Sequence, residues 1–220
     1  MADVKPIVFV VDDDPSVRES LGLLVESAGW HPETFGSGRE FLSRPRVAAP
    51  SCLVLDVVLP DLNGCELQAL LADRADMPII FISGHGDVTT TVRAMKAGAV
   101  EFFTKPFADD AIVGAIGNAI GRSCAALADA AEARALRDSY ALLSAREREV
   151  MALVVSGRLN KQVGSELGIS EITVKAHRGK MMRKMNAGSI CDLVRMALRL
   201  SVARPPTPSS NGSALARGFK

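Results

Sequence analysis

The sequence predicts an α/β domain built on a parallel sheet, followed by a small all-α domain, and three observations carry that expectation. Short β-branched apolar runs alternate with helix-like runs as far as about residue 121. Beyond that point only helical spacing of apolar residues is found. The formal net charge of +1 also hides a division: residues 1–121 hold 9 Lys and Arg against 17 Asp and Glu, whereas residues 141–200 hold 11 against 5. A chain of 220 residues has room for two small domains, and 48% hydrophobic content is ordinary for globular proteins. An acidic half joined to a basic half points to a nucleic-acid partner for the basic part.

The elements follow in order. Ile7–Val11, Cys52–Leu55, Ile79–Ile82 and Glu101–Phe103 read as strands, with Glu33–Phe35 as a weaker one. Ser16–Ser27, Arg39–Leu42, Glu66–Ala72, Val88–Ala97 and the stretch from Asp109 onward read as helices between and after them. Five βα units imply a parallel sheet wrapped by helices. Asp14-Pro15 is an N-cap followed by proline at the first helical position, and Gly29 and Gly98 stand where helices should end. After Asp109, Ile112, Ile116, Ile120, Cys124 and Leu127 keep a spacing of three or four, and Ala125–Ala135 is rich in alanine, so the last helix is expected to run on into a linker. Gly114, Gly117 and Gly121 count against that continuity.

The basic half opens at Ser144 with Glu147 three residues later, a capping-box pattern before a helix Arg146–Val155 that should end near Gly157. Asn160 is expected to cap Lys161–Leu167, Gly168 to break it, and Ser170 to open a helix through Met185. A further helix follows Ser189. Two short helices joined by Leu167-Gly168-Ile169-Ser170 have the length and central glycine of a helix-turn-helix. The expected divisions are a domain over 1–122, a largely helical linker over 123–141, the helical domain over 142–202 and a disordered tail over 203–220, polar and proline-rich.

Composition excludes several classes. Cys52, Cys65, Cys124 and Cys191 are scattered without C-x-x-C spacing, which argues against a disulfide framework or a zinc knuckle and for reduced thiols in a cytoplasmic protein. There is no basic segment followed by a long apolar stretch at the start, and no uninterrupted apolar run of membrane-spanning length, so no membrane association is expected.

Five polar residues carry the chemistry. Asp12 and Asp13 follow the first strand, Asp56 closes the third, Ser83 follows the fourth and Lys105 the fifth. In open α/β sheets ligands bind outside the carboxyl ends of the strands, where these five would meet. Singly they read as loop acids, a turn serine and a surface lysine; jointly they suit a divalent cation and a phosphoryl group. Mg²⁺, with Mn²⁺ as a substitute, prefers a few carboxylates and several waters. Asp13 and Asp56 would ligate directly, Asp12 through water, and the backbone carbonyl of Val58 would complete the set. Asp56 is placed to accept a phosphoryl group as a carboxylate nucleophile. Lys105 would pair with that phosphate and Ser83 donate to it.

These residues, together with Asp56-x-x-x-Pro60, Ser83-Gly84-His85-Gly86-Asp87, Ala94-Met95-Lys96-Ala97-Gly98-Ala99 and Lys105-Pro106-Phe107, resemble the receiver domain of two-component response regulators. The resemblance implies a five-stranded sheet of order 2-1-3-4-5, phosphorylation of Asp56 by a sensor histidine kinase, and a cis peptide at Lys105-Pro106. It also implies a switch in which Ser83 turns toward the phosphoryl group and Phe102 moves inward; Phe102 stands where many receivers have Tyr.

In the helix Glu171–Met185, Val174, Met181 and Met185 form a core stripe and leave a basic outer face. In the major groove of double-stranded DNA Lys175 would approach a guanine edge and Ala176 a thymine methyl, with Thr173 and Gly179 on the outward or flanking surface. Lys161, Arg178, Lys180, Arg183 and Lys184 would meet phosphates. Leu143-Ser144-x-Arg146-Glu147, Asn160-Lys161-Gln162-Val163-Gly164 and Thr173-Val174-Lys175-x-His177 resemble a LuxR-type helix-turn-helix, and the whole chain resembles the FixJ/NarL family. Gly179 and Gly164 depart from that pattern, Gly164 as a residue expected to loosen its short helix. The resemblance implies a homodimer on phosphorylation, RNA polymerase as a further contact, and a transcription factor instead of a turnover enzyme. A phosphohydrolase is disfavoured because Val58 occupies the position two after Asp56, where a second carboxylate would be required.

Overall fold

A computed structural model describes residues 5–84 and 88–200. By contact the chain divides into two units, residues 1–130 and 131–220, and the division falls inside the stretch expected as linker. The tail expected over 203–220 and the His85-Gly86-Asp87 part of the fourth-strand motif lie outside the described residues.

In the first unit β1 (Ile7–Val11), α1 (Pro15–Ser27), β2 (His31–Phe35), α2 (Gly38–Ser43), β3 (Ser51–Asp56), α3 (Gly64–Leu70), β4 (Ile79–Ser83), α4 (Val88–Lys96) and β5 (Glu101–Thr104) alternate. The strands form one parallel sheet of order β2-β1-β3-β4-β5, with Val11 opposite Leu55, Asp56 opposite Ile82 and Ser83 opposite Thr104. Alternate side chains of a strand point to opposite faces. Phe9, Leu53, Leu55 and Phe81 accordingly join Phe41 and Leu67 in one core. Val8, Val10, Val54 and Ile80 join Leu21 and Ile116 in the other. A sheet covered on both faces needs apolar residues at every position, which is why β1, β3 and β4 read as unbroken apolar runs. Asp14 caps α1 through the amide of Ser16 (2.8 Å). Gly29 and Gly98 take the left-handed conformation after α1 and α4, with φ of 92° and 97°.

α5 (Asp109–Ala141) is unbroken over 33 residues, Gly114, Gly117 and Gly121 included. By length and composition it would serve to cross a membrane, unlike any continuous apolar run expected from the sequence. Its apolar content has another account: Ile112, Ile116, Ala119 and Ile120 are buried against the sheet. Also buried is Ser123, whose Oγ accepts from the Ser51 amide (2.9 Å) and donates to the Asp76 carbonyl, tying α5 to the start of β3.

The second unit contains α6 (Ala145–Val155), α7 (Asn160–Leu167), α8 (Glu171–Lys184) and α9 (Ile190–Arg199). Val150, Met151, Val163, Val174, Met181 and Leu193 form its core. Ser144 and Glu147 make the expected capping box, and Ser170 and Ser189 cap α8 and α9. Two expectations are corrected. Asn160 is the first residue of α7 and not its cap; Leu159 precedes the helix, and the Asn160 carboxamide is taken by the guanidinium of Arg178. Gly164 does not loosen α7. A Cβ there would lie 2.7 Å from the carbonyl oxygen of Ile169, so glycine is what lets the helix pack onto the following turn.

Candidate phosphoacceptor site and nucleic-acid interface

All five polar residues converge at the carboxyl edge of the sheet because each ends or follows a strand in register with its neighbour. Asp12 is fully buried and Asp56 nearly so, while Asp13 is exposed. One carboxylate oxygen from each of the three lies within 4.8 Å of those of the other two. The ammonium of Lys105 donates to Asp12 Oδ2 and to Asp56 Oδ2, each at 2.6 Å. The other oxygens are held by main chain: Asp12 Oδ1 accepts from the Asp14 amide (3.0 Å) and Asp56 Oδ1 from the Val58 amide (2.9 Å). Val58 itself is exposed and forms an isolated bridge with Asn63. The Lys105 amide donates to the Ser83 carbonyl (2.7 Å), which joins β4 to the loop after β5. Lys105–Pro106 is cis, as the resemblance implies.

Burial pushes the Asp12 carboxyl above its ordinary range, against the pull of Lys105 and the Asp14 amide, with the neighbouring Asp56 charge adding to the rise. For Lys105 burial acts to lower the pKa, but the hydrogen bonds and charges of Asp12 and Asp56 outweigh it and the net shift is upward. Three hard oxygen donors, one of them open to water, fit an octahedral Mg²⁺ or Mn²⁺ that keeps several waters. Phe102 is half-buried and stacks on Phe81, with centroids 6.2 Å apart.

Two contributors escape sequence reasoning. Arg18 donates from Nη1 to the carbonyls of Asp12 (2.7 Å) and Asp13 (2.9 Å), bracing the loop that carries both acids. Gly64 stands so close to β3 that a Cβ would lie 2.5 Å from the Asp56 carbonyl oxygen. Neither has a spacing signature, since both act on the main chain.

In the second unit Gly168, with φ of 67°, ends α7, and Ser170 opens α8 three residues after Leu167. Lys161, Lys175, Ala176, Gly179, Lys180 and Arg183 are exposed, and Thr173 and Arg178 are half-buried. Lys175 pairs loosely with Glu171 (3.5 Å). Lys184 differs from its neighbours: its ammonium bonds Glu147 Oε2 (2.7 Å) and the Leu142 carbonyl (3.1 Å) inside the unit. That bond, with the Ser144 amide, holds the Glu147 carboxyl down at about 2. Arg158, which the sequence reading passed over, lines a hollow of about 500 Å³ with Lys161 and Arg178.

Comparison with known proteins agrees with both halves. Residues 8–117 match the model of the response regulator receiver domain, and residues 141–197 that of bacterial regulatory proteins of the luxR family. The chain is a two-component response regulator of the FixJ/NarL family. It is 45% identical to the response regulator protein TodT of Pseudomonas putida over 91% of this chain and 88% of that one. It is 39% identical to the transcriptional regulatory protein FixJ of Bradyrhizobium diazoefficiens over 87% and 94% of the two chains. Among solved structures, the response regulator StyR is similar, with a TM-score of 0.80, 43% identity, and coverage of 89% of this chain and 99% of that one. As a response regulator transcription factor, this protein is not a turnover enzyme.

Proposed function

We propose that phosphorylation of Asp56 by a sensor histidine kinase in the cytoplasm drives this regulator to dimerise and to bind specific double-stranded DNA. The observation that carries the reading is the Lys105 ammonium shared between Asp12 and Asp56, beside Asp13, at the edge of a receiver sheet. A carboxylate oxygen of Asp56 attacks the phosphorus of the kinase's phosphohistidine. The P–N bond breaks, and the imidazole leaves with its electron pair. Mg²⁺ or Mn²⁺ held by Asp13, Asp56 and the Val58 carbonyl, with Asp12 acting through water, would neutralise phosphoryl charge. Such transfers depend mainly on positioning and charge. An open groove of about 590 Å³ beside Lys105, walled by Val17, Leu21, Leu24 and Phe107, offers the kinase an apolar seat next to the acceptor.

The phosphoryl group brings roughly −1.5 to −2 charge. Lys105 then pairs with it, Ser83 donates to one of its oxygens, and Phe102 moves inward beside Phe81. On α4, Val88, Val92 and Met95 are exposed at spacings of four and three, an apolar stripe suited to a second copy. Shifting a two-state equilibrium from 1:99 to 99:1 takes about 5.5 kcal/mol. A few charge-assisted contacts approach that size.

In the dimer α8 enters the major groove, with Lys175, Ala176 and Gly179 toward base edges. Lys161, Arg178, Lys180 and Arg183 meet phosphates. Lys184, bonded inward to Glu147, steadies α8 instead of reaching the duplex. RNA polymerase is the further partner that a bound activator would engage. The test is intact mass and dimer fraction after treatment with acetyl phosphate and Mg²⁺. A single phosphoryl adduct and a shift to dimer, both absent in Asp56→Asn, are expected; no adduct on the wild type would overturn the reading.

A further inference from the structure

The face of α8 left open for a duplex is short of hydrogen-bonding groups. Residues 172, 175, 176, 179 and 183 recur at helical spacing and lie on one stripe, and all five are exposed. Ile172 is 79% exposed, more than any other large apolar side chain among the described residues. It takes no part in the unit's apolar core. Ala176 adds a single methyl to the stripe, and Gly179 adds no side chain; a Cβ built at Gly179 would meet nothing within 4 Å. Only Lys175 and Arg183 bring donors, and Lys175 already has Glu171 nearby.

The position of Ile172 is also fixed. Ser170 caps the helix, its hydroxyl accepting from the Thr173 amide (3.1 Å) and sharing a hydrogen bond with the Thr173 hydroxyl (2.8 Å). A β-branched side chain on such a turn has few rotamers to lose on binding. It stands in the N-terminal part of a recognition helix, from which side chains reach base edges. Basic residues flank it: Lys175, Lys180 and Arg183 on α8 and Lys161 on α7 are exposed, which favours a polyanion over an apolar protein surface. The one apolar group that a base pair presents in the major groove is the thymine 5-methyl.

We propose that Ile172, seconded by Ala176, reads thymine 5-methyl groups, so that apolar contact carries a leading share of this regulator's base specificity. The proposal rests on the reading of α8 as a DNA-recognition helix. It deepens that reading by naming the base feature that is recognised.

The experiment uses the full chain treated with acetyl phosphate and Mg²⁺. A duplex is first selected by it from a randomised pool. Each thymine of that duplex is then replaced in turn by deoxyuridine, which deletes the 5-methyl and keeps the pairing. At the thymine facing Ile172 the substitution should weaken wild-type binding about fourfold, corresponding to about 0.8 kcal/mol for one buried methyl. The Ile172→Ala protein should bind the thymine duplex about fourfold more weakly and be indifferent to deoxyuridine at that one position, and Ile172→Val should retain most of the sensitivity. If a sequence is enriched but no deoxyuridine position loses its effect in Ile172→Ala, this inference is wrong and the DNA-binding reading stands. Should no sequence be enriched, both fall. Reduced transcription by Ile172→Ala with unchanged deoxyuridine sensitivity would assign the residue to a protein contact and overturn the proposal.

Discussion

Gly164→Ala sets two physical effects against each other, and the structure decides the sign. Replacing a glycine inside a helix with alanine favours the helix by up to about 1 kcal/mol. At residue 164, however, the new methyl would stand 2.7 Å from the carbonyl oxygen of Ile169, a backbone atom in the turn of the helix-turn-helix. That turn is also held by the Ile169 amide donating to the Gly164 carbonyl (2.9 Å), so it cannot swing aside without straining that bond. Overpacking of this kind costs about 1–3 kcal/mol. With the helix gain set against that cost, the net expectation is a loss of up to about 2 kcal/mol, or a fall of up to roughly 15 °C in the melting temperature of a unit this small. Gly179→Ala is the control, since the same exchange in the same unit meets open space. It should stabilise by up to about 1 kcal/mol. Thermal unfolding of the full chain separates the units, because the only tryptophan, Trp30, packs in the first unit. Its fluorescence follows that unit alone, whereas far-ultraviolet circular dichroism follows both. A Gly164→Ala protein whose second unit melts at or above the wild-type temperature would refute the close-approach argument.

Three other expectations follow from named contacts. The Glu147 carboxyl sits at about 2 in the folded protein against an ordinary 4.5, so its stabilisation is full above the ordinary value and is lost as pH falls through about 2. Its side chain is 4% exposed but that of its partner Lys184 is 39% exposed, so after screening Glu147→Gln should cost the second unit about 2 kcal/mol at neutral pH, with urea unfolding curves of variant and wild type converging near pH 2. Ser123→Ala strands the Ser51 amide and the Asp76 carbonyl; a loss of about 1–3 kcal/mol in the Trp30-monitored transition is expected, and an unchanged midpoint would discount that tie. Mg²⁺ at about a hundred times its Kd should stabilise the wild-type receiver by about 2.7 kcal/mol, while Asp13→Asn, altering an exposed carboxylate, should leave the metal-free midpoint nearly unchanged and abolish the Mg²⁺-induced shift.

What could be read in the sequence was whatever a residue does through its own element. Strands β1, β3 and β4 are covered on both faces and therefore announce themselves as apolar runs, and their ends bring Asp12, Asp56 and Ser83 together with little further information. β2 is the weak strand for a physical reason: it lies at the edge of the sheet, none of its five residues is buried, and it tolerates Pro32. The corrections fall where a distant partner overrides a local preference. Asn160 has the side chain of a cap, yet Arg178, eighteen residues away, claims it. Gly164 has the propensity of a helix breaker, yet the turn after α7 occupies the space a Cβ would need. Lys180 and Lys184 are equivalent by composition, and only Glu147, thirty-seven residues earlier than Lys184, separates a cation with no ion-pair partner among the described residues from one that is tied inward. Counting basic residues directs attention to Lys175 and Arg183, but with Arg183 placed for phosphate and Gly179 bare, the five-residue stripe proposed to face the bases leaves Lys175 as its donor. A protein that selects among sequences with such a face must draw on shape and apolar contact as well as on hydrogen bonds.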